Sequence, residues 1–81
     1  METIQQLLNR IHWDEEFGKG DFEVGIYDRV EDIVTFQPLK NLHMEKGNHV
    51  SFTMILHGEE LVIPFHRIRE VRKNSETIWK R

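Results

Sequence analysis

The chain has 81 residues, 38% of them apolar and 31% charged, with a formal net charge of −3 and no cysteine. That length supports one core rather than two, so a single domain over residues 1–81 is expected, without disulfides or thiolate metal sites. No apolar run approaches the ~18 residues that cross a bilayer and no signal-type apolar segment follows Met1, so the expectation is a cytoplasmic protein with no membrane role.

The chain opens with a helix. Thr3 and Gln6 have the spacing of a capping box, and Ile4, Leu7, Leu8 and Ile11 recur at i, i+3, i+4 and i+7, one apolar stripe that ends near Trp13. Asp14 to Asp21 reads as a loop, with Gly18 and Gly20 supplying backbone freedom. From Phe22 the period changes to two: Phe22, Val24 and Ile26 alternate with Glu23, Gly25 and Tyr27, as in a half-buried strand. A second strand runs from Ile33 to Gln37 and stops at Pro38. Leu42 and Met44 suit a bent continuation, followed by a turn at Lys46-Gly47-Asn48.

Val50, Phe52, Met54 and Leu56 alternate with Ser51, Thr53, Ile55 and His57, the clearest strand of the sequence. His57-Gly58-Glu59-Glu60 turns the chain into Leu61-Val62-Ile63, which ends at Pro64. The spacing of Phe65, Ile68 and Val71 suggests one helical or 3₁₀ turn after that proline. Extended chain resumes near Arg69, and Lys73-Asn74-Ser75-Glu76 is a hairpin turn before Thr77-Ile78-Trp79. The expected architecture is α+β: an N-terminal helix followed by five or six short antiparallel strands in a strongly bent sheet or small open barrel.

Charge is unevenly spread. Residues 66–81 hold six Arg or Lys against Glu70 and Glu76, a balance of +4, while the first 65 hold five against twelve acidic groups, a balance of −7. A basic tail on an acidic body can guide an anion to one face, or can simply solvate an exposed strand. A non-specific duplex binder would be basic throughout.

Several chemistries fit poorly. The five histidines (His12, His43, His49, His57, His66) lack the spacing of a metal site, and Asp14-Glu15-Glu16 lacks the alternating ligands of a calcium loop. Gly18-Lys19-Gly20-Asp21 follows a helix and precedes a strand, the reverse of a phosphate-binding P-loop. No serine sits in a nucleophile elbow. A phosphoesterase built on paired His-x-Ser/Thr triplets needs two copies for acid and base, and only His49-Val50-Ser51 is present. No cofactor motif is found.

What remains is Tyr27-Asp28-Arg29 at one strand end, His66-Arg67 after Pro64, and Trp79 to Arg81. Guanidinium groups make charge-assisted bonds to phosphate, a protonated imidazole can add another, and an aromatic ring can stack on a base. The competing structural reading pairs Asp28 with Arg29 or Arg67 and puts Trp79 in the core, which is preferred for so large a ring in so small a protein.

At these residues the chain resembles the RNA cyclic group end recognition domain family of small, mostly archaeal proteins, whose domain also occurs inside larger ones. The matching pieces are Ile-His-Trp-Asp (11–14), Asp21-Phe22, Gly-Ile-Tyr-Asp-Arg (25–29), Ile-Pro-Phe-His-Arg-Ile (63–68) and Ile-Trp-Lys-Arg (78–81). Asn74-Ser75 departs from the glycine-containing turn often found there. The resemblance implies a binding module for RNA 3′ ends carrying a phosphate or cyclic phosphate, with Tyr27, Asp28, Arg29, His66, Arg67 and Trp79 as the ligand-binding set. One alternative is an RNA-end-processing phosphoesterase using His66 as acid or base. Another is a protein-interaction domain, or an oligomer, formed through the basic C-terminal edge strand.

Overall fold

The computed structural model describes residues 2–45, 47–48, 50–56 and 58–81. The expected turn residue Lys46, the His49 member of the His-Val-Ser triplet, and His57 lie outside the described residues. Helix α1 spans Ile4–Trp13. Thr3 Oγ1 accepts the Gln6 N–H at 3.1 Å and Gln6 Oε1 accepts the Thr3 N–H at 2.9 Å, so both arms of the capping box form. Its apolar stripe buries Ile4, Leu7 and Leu8.

Among the described residues seven strands follow: β1 (Phe22–Asp28), β2 (Ile33–Pro38), β3 (Leu42–His43), β4 (Ser51–Leu56), β5 (Glu59–Pro64), β6 (Ile68–Lys73) and β7 (Glu76–Lys80). They form two antiparallel sheets, one ordered β2-β1-β6-β7 and the other β3-β4-β5, and neither closes on itself. The α+β class holds. The strands are more numerous than expected and divide between two sheets rather than bending within one.

Two prolines account for the division. Pro38 ends β2 and leads into a 3₁₀ turn at Leu39–Asn41, and Pro64 ends β5 and leads into a second at Phe65–Arg67. Proline cannot donate to the ladder, and its φ of −60° or −64° is already set for a helical start. Each crossing between the sheets, β2 to β3 and β5 to β6, passes through one of these corners.

One hydrophobic cluster joins helix and sheets: Leu7 and Leu8 from α1, Val24, Ile68, Val71 and Trp79 from the four-stranded sheet, Phe52 and Met54 from the other, and Phe65 from the second corner. Phe52, Leu7, Ile68 and Val24 are essentially inaccessible to water, and burying each such side chain is worth roughly 1.5–3 kcal/mol. The rings of Phe52 and Phe65 lie 5.4 Å apart, tying the corner to β4.

Two local features shape the outer face of the four-stranded sheet. In the β1–β6 ladder, Gly25 opposes Glu70 and Ile26 opposes Ile68, so Arg69 is an extra residue at a β-bulge. Ile68 and Val71 both point inward, which sends Arg69 and Glu70 together to the outside. The apolar spacing at Ile68 and Val71 therefore comes from this bulge, while the 3₁₀ turn stops at Arg67. Gly25 makes room on the same face: a Cβ there would lie 2.8 Å from Val34 Cγ1 and 3.0 Å from Phe36 Cε1.

Candidate anion-binding site

Strand β1 delivers Tyr27 and Asp28 to a short loop that turns into β2. Asp28 builds that loop. Its carbonyl accepts the Asp32 N–H at 2.8 Å, and its Oδ1 accepts the N–H groups of Val30 at 2.9 Å and Glu31 at 3.3 Å. These bonds stop the backbone groups from competing for other partners and fix the segment that carries Arg29. Asp32 closes the loop with φ 57°, and its carboxylate accepts the Tyr27 hydroxyl. That hydrogen bond, with smaller contributions from burial and the Asp32 charge, pushes the Tyr27 phenol above its ordinary 10.0.

Arg67 comes from the other end of the chain, on the 3₁₀ corner after Pro64. The two arginines line one open cavity of about 730 Å³, within the range of small-ligand sites. Tyr27 and Asp28 also line it, and Ile26, Met54, Leu61 and Ile63 give it an apolar floor. Thr35 and Gln37 complete the wall from β2. Neither Arg29 nor Arg67 has a carboxylate partner within salt-bridge distance among the described residues, and neither does Asp28 have a cationic one. The lining residues thus include two arginines and one aspartate, a formal balance of +1.

The remaining candidates lie elsewhere. His66 is exposed on the same corner as Arg67 but is absent from the cavity wall, and its carbonyl accepts a 3.4 Å bond from Arg81 Nη1. Trp79 is 8% exposed and belongs to the core, with its Nε1–H donating to the Glu2 carbonyl at 2.8 Å. Arg81 sits by that ring, its Cζ 5.2 Å from the centroid.

Sequence reading passed over Thr35 and Gln37. The register pairs Ile26 with Thr35 and Val24 with Gln37, so these polar side chains share the inward face of β1 while Val34 and Phe36 share the outward face with Tyr27 and Gly25. The signal was present in the alternation of β2, whose phase is inverted relative to β1. It needed the hairpin register to be read.

Among the described residues, no helix is long and apolar enough to cross a membrane. Over residues 1–81 the sequence matches the MJ1316 RNA cyclic group end recognition domain. It is 33% identical to a UPF0248 protein of Metallosphaera sedula over 79 residues, covering 98% of this chain and 92% of that one. It is 31% identical to the UPF0248 protein MJ1316 of Methanocaldococcus jannaschii over 81 residues, covering 96% and 92% of the two chains. A UPF0248 protein of Saccharolobus solfataricus is 27% identical over 81 residues, covering 96% and 95%. No solved structure matches. With the match running the full length and the relatives aligned nearly end to end, this chain belongs to the MJ1316 RNA cyclic group end recognition domain family.

Proposed function

We propose that the protein is a binding module for RNA 3′ ends that carry a cyclic phosphate, and that the end group sits in the cavity between Arg29 and Arg67. The observation that carries this reading is that two arginines from distant parts of the chain line one cavity, neither paired with a carboxylate among the described residues. Planar guanidinium forks suit phosphate oxygens. Asp28 acts by shaping the loop under Arg29, and Tyr27 offers a ring edge beside the ligand. Thr35 and Gln37 supply neutral hydrogen bonds. In this reading His66, exposed beside Arg67, and Trp79, in the core, make no contact with the end group.

The charge and polarity of the lining favour a cyclic ester over an open one. A cyclic phosphate carries one negative charge, matching a lining of +1. An open monophosphate carries ~1.5–2 near neutral pH and must lose more hydration against the apolar floor. The family's description points to the same ligand class.

Short oligonucleotides of one sequence, ending in a cyclic phosphate, a 3′-phosphate or a 3′-hydroxyl, test this by titration. We expect the cyclic end to bind tightest, by ~10-fold or more over the hydroxyl, the equivalent of one charge-assisted bond. Equal affinity for cyclic and hydroxyl ends would remove the proposal.

A further inference from the structure

Tyr27 borders a second cavity, of about 620 Å³, on the outer face of the four-stranded sheet. Its other lining residues are Val34, Phe36, Arg69, Glu70, Lys80 and Arg81. Because one tyrosine lines both spaces, they are neighbours joined at that side chain.

The charges here are arranged unusually. Glu70 is committed, taking the Arg72 Nε–H and the Thr77 hydroxyl on one oxygen, each at 2.7 Å. Arg69, Lys80 and Arg81 have no carboxylate within salt-bridge distance among the described residues. Arg69 also has a buried Nε without a hydrogen-bond partner, and its Cζ stands 5.0 Å from the Tyr27 ring centroid. The β-bulge is what turns Arg69 outward. Bulges are over-represented beside functional sites, where they re-aim a side chain. Beside the cations lie Phe36, half-buried, and Val34, 42% exposed, which give the cavity apolar ground next to positive charge.

Cations beside aromatic and apolar ground on an open sheet face suit single-stranded nucleic acid, with phosphates on the cations and bases on rings or guanidinium planes. We propose that this outer cavity is a second subsite, which takes the phosphodiester and base of the nucleotide preceding the RNA end. The strand would pass over Tyr27, with the terminal group inside the first cavity and the preceding phosphate against Arg69 and Lys80. This inference rests on the reading of the first cavity and adds the direction of the strand.

The test compares a cyclic-phosphate mononucleotide with a cyclic-phosphate trinucleotide by titration, against the parent protein, Lys80→Glu and Arg69→Ala/Lys80→Ala. For the parent we expect the trinucleotide to bind on the order of 10- to 100-fold tighter, the gain from one or two added phosphate and stacking contacts. Both variants should keep the mononucleotide affinity within about twofold and lose most of the trinucleotide gain, which Lys80→Glu tests without touching Arg69. If the mononucleotide binds and lengthening adds nothing, the second subsite is overturned while the first reading stands. A gain that survives in both variants also overturns it, since the strand then leaves by another route. If neither ligand binds the parent protein, the reading of the first cavity fails and this inference falls with it.

Discussion

Replacing Arg67 by alanine removes one of the two cations in the inter-sheet cavity while leaving the fold its remaining contacts. Arg67 is half-buried on a 3₁₀ corner and makes no salt bridge or side-chain hydrogen bond among the described residues. The corner itself is held by Phe65, whose N–H donates to the Val50 carbonyl at 2.9 Å and whose ring packs on Phe52. Stability should therefore change by no more than ~0.5 kcal/mol, which for a chain of this size is about 2–4 °C in Tm. Binding should respond far more. A charge-assisted hydrogen bond to phosphate is worth ~1.5–3 kcal/mol, so Arg67→Ala should weaken a cyclic-phosphate oligonucleotide by about 10- to 150-fold. Losing one phosphate contact on a single strand should also reduce the slope of log K against log salt by about 0.7. Fluorescence anisotropy at several salt concentrations reads both quantities, and a thermal melt of the same samples reads the third. A variant with parental affinity and parental salt slope would refute the assignment of Arg67 to the ligand. A variant that lost binding together with several degrees of Tm would refute the claim that its role is separable from folding.

Other outcomes follow from the same geometry. Tyr27 is the only tyrosine, so its phenolate can be titrated by ultraviolet absorbance, and it should ionise above 10.0 because its hydroxyl donates to Asp32. Asp32→Ala should bring it back toward that value; the stabilisation linked to this bond is complete below 10.0 and is lost as pH rises through the folded value. Glu70 is held below its ordinary 4.5 by the bonds from Thr77 and Arg72, so its contribution is complete above 4.5 and lost as pH falls through the lower, folded value. Urea melts between neutral and acid pH should accordingly show a shallower acid loss in Glu70→Gln than in the parent. Ser75 sits at φ 71° in the β6–β7 turn without the freedom of glycine, and Ser75→Gly should raise stability by ~1 kcal/mol, or about 4–8 °C in Tm. An unchanged or lower Tm would show that the turn carries no such strain.

Much of the fold was legible because periodicity and caps are local. The capping box at Thr3, the alternation of Phe22, Val24 and Ile26, and the stop at Pro64 each act within a few residues, and each is found where expected. The split into two sheets was not legible, because it depends on which strands pair across the chain: β1 takes β6 as its second neighbour, far along the sequence. The bulge at Arg69 was hidden for a related reason. Two inward residues three apart look like a turn of helix until the partner strand shows that one residue is extra.

The residues of the candidate cavity were legible by type and only in part by position. Tyr27, Asp28, Arg29 and Arg67 border one cavity because a strand end and a proline corner bring them there. His66 and Arg67 are consecutive, yet only Arg67 borders that cavity, since adjacent residues on a 3₁₀ turn point in different directions. Trp79 is buried with its N–H satisfied by the Glu2 carbonyl, as expected of a large ring in a small core. Thr35, Gln37 and Arg69 carry no motif, and their setting depends on the register of β2 and the bulge of β6.

In the proposed mode of binding, one phosphate is gripped jointly by side chains from the β1–β2 loop and the Pro64 corner. A crystal structure with a dinucleotide ending in a cyclic phosphate measures this directly. Phosphate oxygens should lie ~2.7–2.9 Å from nitrogens of both Arg29 and Arg67. A phosphate bound to one of them alone, or held on another face with both guanidinium groups facing solvent, would contradict it.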